Sequence, residues 1–443
     1  MRVKMILSHL VLSLLPLLAL ASTYDPERNP IVRSNDPSHR KRCIVKSLGS
    51  VDEDDAPAVR DAFKKCGKHG NIVFEDSEYH INTVLNTSGL EDVSIDIRGE
   101  LLWGTDIDYW LNNSLPVGYQ NQSTAWVLGG DNIRINGFGT GTFNGNGDVW
   151  YSFIRQQPNT SNYPGRPHAI TFNGLTNSVV KGLRFLRSQM WTMSIINSHN
   201  VDLTDIFVNN TGNIYSSSNT DGADTIRSSG IRFDNWTVYN GDDSISLKAD
   251  SKNITITNSK FYNGLGIAIG SIGQYYGAFE VIENVHVDNI YFKNTLHAYY
   301  FKTWTADRNG YPPNGGGGGR GYAANMAASN LQVEGLRGGA VTISQCTRFS
   351  GAPGSGNCTN SEFQIRDLVI DGLRGTTSDK TGRVASFQCS AVAPCTNLAL
   401  LDVDVRFSNG SDAGAYLCGN VVNQIGFNCT GPACEGGSST GGC

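Results

Sequence analysis

From Asp92 onward the chain alternates apolar and polar residues in short runs, each opened by Asn, Asp or Gly: Val93-Ser-Ile-Asp-Ile, Asn132-Ile-Arg-Ile, Asn177-Ser-Val-Val, Asn200-Val-Asp-Leu, Gly230-Ile-Arg-Phe, Asn253-Ile-Thr-Ile and Asn284-Val-His-Val. A period of two with Val, Ile and Phe on one side predicts strands with one buried face. The openers recur roughly every 20–30 residues, or at about twice that spacing where one is skipped, which is a solenoid period. A second strand follows within a repeat, as in Asn258-Ser-Lys-Phe-Tyr and Asn289-Ile-Tyr-Phe, so each coil reads as two or three strands joined by tight turns. Helical periodicity is confined to residues 56–65, just before Cys66, and predicts a short amphipathic helix capping the open N-terminal end. The fold class is therefore all-β, a parallel β-helix. A sandwich or propeller would need hairpins and antiparallel strands at about 8–12-residue spacing.

Composition fits this reading. The 51 glycines and frequent asparagines supply left-handed turn positions, and asparagines at equivalent turns can stack in a ladder. The glycine tract at 315–319 is short and lies inside regular sequence, so residues 22–443 are expected to form one extended domain.

Residues 1–21 carry cations at Arg2 and Lys4, a short apolar run and the small-residue exit Ala19-Leu20-Ala21. This pattern predicts a secretory signal peptide rather than a membrane anchor. All 10 cysteines lie beyond it and are expected to form disulfides. Cys43 and Cys66 sit near the start and the rest from Cys346 onward, as staples at the two ends of the solenoid. N-x-S/T sequons, among them Asn86, Asn209 and Asn428, agree with a secreted, extracellular glycoprotein. No Cys/His spacing resembles a zinc site, so no metal or other cofactor is expected. The formal charge of −5 argues against nucleic acid as a partner. An anionic saccharide remains compatible, provided its groove holds local cations. No membrane contact of the mature chain is expected, and the protein is read as a monomer.

Three carboxylates stand at strand ends among small residues: Asp221 in Asn219-Thr220-Asp221-Gly222, and the pair in Gly241-Asp242-Asp243-Ser244. A separation of about one coil stacks Asp221 beneath Asp242 and Asp243 on one face. Crowded carboxyls make at least one hold its proton more tightly than in water. Glycoside hydrolysis uses that asymmetry, one acid protonating the leaving oxygen and another carboxylate activating water or attacking the sugar. Read alone, each motif is an ordinary polar turn; their joint occurrence at coil spacing carries the weight.

Asn219-Thr220-Asp221, Gly241-Asp242-Asp243, Gly264-Leu265-Gly266-Ile267-Ala268-Ile269-Gly270-Ser271 and Tyr300-Phe301-Lys302 resemble, in order and approximate spacing, the four signature motifs of the polygalacturonase family, glycoside hydrolase family 28. The resemblance is nearest to its exo-acting, exopolygalacturonase-type members. It implies a right-handed single-stranded parallel β-helix of pectin-lyase-like type and an inverting hydrolysis that needs no metal. Asp242 would be the general acid, and Asp221 and Asp243 would hold and deprotonate water. Inversion asks for about 6.5–9.5 Å between the carboxyls. Three positions depart from the family pattern. Leu265 stands where the family usually has histidine, Tyr300 where it usually has arginine, and Ser244 where many relatives have cysteine.

Lys302 is retained and is expected to pair with a uronate carboxylate, with Tyr300 stacking on a sugar ring or filling the wall and Asn219 beside it. His297 is the histidine nearest these motifs. Residues 306–322 leave the coil pattern with Asp307, Arg308, two prolines, the run of five glycines at 315–319 and Arg320. Such a loop would close one end of the groove, with Arg308 or Arg320 restoring charge lost at Tyr300. The leading expectation is an exo-acting galacturan 1,4-α-galacturonidase of pectin. Beside it stand a family member directed at rhamnogalacturonan or releasing rhamnose, a Ca²⁺-dependent pectate lyase, and a solenoid that binds glycan without cutting it.

Overall fold

Each alternating run forms a strand. In the computed structural model, which describes residues 40–158, 162–214, 216–308, 315–347 and 358–440, the strands stack coil on coil into a right-handed parallel β-helix with one 30-stranded sheet. The expected signal peptide lies outside the described residues.

The period of two sets the register. Ile135 pairs with Ile95 below and Val180 above, and the column continues through Leu203, Phe233, Ile256 and Val287. All of these are buried. A one-residue slip anywhere would turn the whole inward set to solvent. Burial of each such side chain contributes about 1.5–3 kcal/mol, so the core is a continuous apolar rod.

The corners explain the openers. Asp92, Asn132, Asn177, Asn200, Gly230, Asn253 and Asn284 all have φ between +48° and +65°, the left-handed region that Asn, Asp and Gly tolerate best. The expected ladders form: Asn284 Nδ2 donates to Asn253 Oδ1 at 3.1 Å, Asn289 to Asn258 at 2.8 Å and Asn294 to Asn263 at 3.0 Å.

The capping helix spans Ala56–Cys66 and buries Val59, Ala62 and Phe63. It is tied to the first strand by the Cys43–Cys66 disulfide. Three further disulfides, Cys346–Cys358, Cys389–Cys395 and Cys418–Cys429, lie toward the other end, as the cysteine distribution predicted. Two short helices, Ile107–Asn113 and Gly147–Arg155, were not foreseen. Each is too short to establish a periodic apolar face, and the first rests on the Asp106 side chain accepting from Tyr109 N–H at 2.9 Å.

Asn289 tests the corner argument. Asn289→Ala forces alanine to φ +57° and removes the ladder bond, and should cost about 1–2 kcal/mol. Asn289→Gly keeps the conformation and should lose less than about 1 kcal/mol. Urea midpoints of the two variants compare them directly.

Candidate active site

The site lies on the sheet face formed by strands Asp224–Ile226, Asp243–Leu247, Gly266–Ile272 and Tyr299–Trp304. Its three acids come from the turns that enter two successive strands. These turns are pressed together: a Cβ at Gly222 would lie 2.2 Å from the Ser244 carbonyl oxygen, and one at Gly241 would lie 2.1 Å from that of Ser217. Only glycine fits at either place. Backbone bonds join the turns, with Gly222 N–H donating to Asp243 O at 3.0 Å and Thr192 N–H to Asp221 O at 2.8 Å. The Asn240 side-chain amide, itself buried, bridges Thr220 O, Asp242 O and Asp243 O.

One oxygen from each of Asp221, Asp242 and Asp243 lies within 4.8 Å of the others. The one-coil offset thus brings the three acids into one space. The nearest oxygens approach more closely than the roughly 6.5–9.5 Å carboxyl separation expected for inversion. A water here would be a shared hydrogen-bond partner of two carboxylates rather than an occupant of an open gap.

The acids have distinct surroundings. Asp242 is the accessible one. Its Oδ2 accepts from Asn219 N–H at 3.1 Å and Asn219 Nδ2 at 3.4 Å, and its Oδ1 from Asp243 N–H at 2.9 Å. Burial, then the neighbouring Asp243 carboxylate, push its pKa up to about 6. Asp221 is buried, with an Oδ1 that meets no donor among the described residues. Burial and then Asp242 raise its pKa well above the ordinary carboxylate range. Asp243 is buried between two donors, accepting from Tyr300 Oη through a short hydrogen bond and from Lys302 Nζ at 2.9 Å.

That last arrangement depends on small residues of the third motif. Ala268 is the register neighbour of Tyr300, and Gly270 that of Lys302. Small residues in the intervening coil leave room for both side chains to reach back to Asp243. Burial works against the Lys302 ammonium, but Asp243 and Asp242 outweigh it, so its pKa lies above the ordinary lysine value. Leu265, half-buried, donates its N–H to Asp242 O at 2.8 Å. His297 packs against Tyr300 with ring centroids 4.8 Å apart and planes tilted by 42° and is held neutral, its pKa lowered by burial to about 4.

The roles expected from sequence are thus partly redistributed. Lys302 is engaged by Asp243, and Asn219 holds Asp242. Arg320 is not among the residues that meet; it is exposed and paired with Glu362 at 2.5 Å. Of the glycine-rich loop, residues 309–314 lie outside the described residues. Its flanks pack on the Gly273–Ala278 turn, where Arg308 lies 3.6 Å over the Tyr276 ring and Gly317 N–H donates to Gln274 O at 2.8 Å. The C-terminal tail lies beside the site instead: Ser438 N–H donates to Cys346 O, and Thr440 O lies 3.1 Å from His297 Nε2.

Several buried residues were missed. Lys248 pairs with Asp224 at 3.2 Å and lies 4.8 Å over the Trp191 ring. His168 stacks on the same Trp191 at 4.5 Å, and burial keeps it neutral, with a pKa near 3. Asp224 and Lys248 had a sequence signal, since both share the outward parity of Ser246 in runs whose alternate residues are buried and apolar. Arg166, 1% exposed, had none, because it belongs to an earlier coil. Among the described residues the three acids are the one His/Cys/Asp/Glu cluster close enough to ligate a cation. The Lys302 ammonium already stands beside them.

The sequence profile of the Glycosyl hydrolases family 28 matches residues 77–427. The Alpha-L-rhamnosidase rgxB of Aspergillus niger is 57% identical over 409 residues, covering 91% of this chain and 93% of its own. A putative galacturan 1,4-alpha-galacturonidase A of Aspergillus niger is 35% identical over 413 residues, covering 87% and 93%. Among solved structures, the endo-xylogalacturonan hydrolase from Aspergillus tubingensis superposes with a TM-score of 0.75 at 25% identity, over 89% of this chain and 100% of its own. These findings overturn the expectation of a galacturan 1,4-α-galacturonidase. The much higher identity is to a rhamnosidase, and the lysine expected to bind a uronate is paired with Asp243.

Lys302→Met should destabilise the fold by about 3–5 kcal/mol by leaving the buried Asp243 carboxylate without its cation. Adding Asp243→Asn to that variant should recover part of the loss. Chemical denaturation of the single and double variants measures both effects.

Proposed function

The chain belongs to glycosyl hydrolases family 28, and on that premise we propose that it is an α-L-rhamnosidase acting on terminal rhamnose of a pectin-type polysaccharide. The carrying observation is the charge balance of the floor. Lys302 and Lys248 are each paired with an aspartate, at 2.9 and 3.2 Å, so neither is left for a substrate carboxylate. A uronate placed there would desolvate its charge without compensation. L-Rhamnose is a neutral 6-deoxy sugar that carries a methyl group where galacturonate carries its carboxylate. Leu265, apolar and half-buried, suits that methyl-bearing ring, while Tyr300 is buried beneath it with its hydroxyl on Asp243. The identity to the Aspergillus niger rhamnosidase supports the same reading.

In this reading Asp242, accessible and with a raised pKa, donates its proton to the glycosidic oxygen as the C1–O bond breaks. A water bonded to Asp221 and Asp243 attacks C1 from the opposite side. Its proton passes to Asp243, which Lys302 and Tyr300 hold as an acceptor. Direct attack by water inverts the anomeric centre. The 4 described disulfides support export to an oxidising compartment.

Incubation with rhamnose-terminated rhamnogalacturonan oligosaccharides should release free L-rhamnose at least about 100-fold faster than oligogalacturonates release galacturonic acid. Comparable release of galacturonic acid would defeat the proposal. Asp242→Asn should lower kcat by about 10²–10⁴-fold with binding retained. Because the acid must be protonated, kcat/KM should fall as pH rises through about 6. Proton NMR of the first-formed product reads the anomer.

A further inference from the structure

Arg166 lies in a coil that precedes both acid-bearing turns, and it is 1% exposed. Its Nε donates to Gln189 O at 2.6 Å and its Nη2 to Ser218 O at 3.1 Å. Gln189 and Ser218 belong to the entry turns of the next two coils, so one guanidinium ties three successive turns along the rim where the acids stand. Ser218 directly precedes Asn219, whose N–H and Nδ2 both reach Asp242 Oδ2. Thr192, three residues beyond Gln189, donates its N–H to Asp221 O. Both tethers therefore end one step from an acid.

The local backbone is shaped to admit this side chain. Gly165 has φ +82°, and a Cβ there would lie 2.5 Å from Leu111 O. Among the described residues no carboxylate forms a salt bridge with Arg166 and none offers Nη1 an acceptor. Its charge is felt first by the Tyr151 phenol and then by Asp242 and Asp221. Burial lowers its pKa to about 10, still far above any pH at which an acid of Asp242's kind works, so the cation is permanent. Lys302 approaches the acids from Asp243 and the following coils; Arg166 approaches from the preceding ones.

We propose that Arg166 is a positioning residue for the general acid: through Ser218 and Asn219 it fixes the Asp242 carboxyl in place, and its buried cation tempers the charge of the Asp242–Asp221 pair. The inference rests on Asp242 being the acid but not on the identity of the sugar released. Lysine cannot span the two carbonyls as a planar fork can, so the two functions separate by substitution.

The test compares Arg166→Met and Arg166→Lys in the full chain, using whichever oligosaccharide the wild type turns over fastest, so that failure of the rhamnose assignment does not affect it. Arg166→Met should lower kcat roughly 10- to 100-fold with KM changed less than about threefold. Losing the cation should also shift the alkaline limb of kcat/KM upward by roughly one pH unit, because the Asp242 proton is then held more tightly. Arg166→Lys should also lose kcat, but with the limb unmoved. An Arg166→Met variant that is merely less stable, its limb unmoved, would overturn the electrostatic role. Wild-type kcat in Arg166→Lys would overturn the positioning role, and that measurement stands even if the methionine variant does not fold.

Discussion

Three carboxylates within 4.8 Å of one another, two of them buried, are the constraint around which the structure is arranged. Charges so close in a medium of low dielectric repel strongly, and desolvation adds to the cost of ionising each. The fold tolerates them in three ways. Asp221 keeps its proton well beyond the usual range, Asp242 retains partial access to water, and Asp243 is held between an ammonium and a phenol. The asymmetry that relieves the repulsion is the same asymmetry that acid–base hydrolysis requires.

The compensation also bears on which sugar fits. Two lysines lie in the floor, and each faces an aspartate. Two such ion pairs leave little net charge from their four members to face a ligand. The net charge of the chain says nothing of this, since it depends on which pairs meet.

Rigidity comes from the solenoid. Every acid-bearing turn is fixed by backbone bonds to the coils on either side, by glycines that allow close approach, and by the amide of Asn240. Positions on consecutive coils are as dependable as positions on a single strand, because parallel pairing propagates register along the whole column. The C-terminal tail beside the site is the exception, since it answers to no repeat.

The sequence by itself determined the coil pattern, its left-handed corners, the capping helix and the presence of three acids at one-coil spacing. All of these follow from local periodicity and turn chemistry, which act within a few residues. It did not show that Lys302 pairs with Asp243 and Arg320 with Glu362, and Arg166, Asp224 and Lys248 went unrecognised. Only the tertiary structure decided these, for a physical reason. Whether a lysine is free or neutralised depends on what faces it across neighbouring coils. Ala268 and Gly270 let Tyr300 and Lys302 fold back to Asp243, a contact between residues 57 and 59 positions apart that no local pattern encodes.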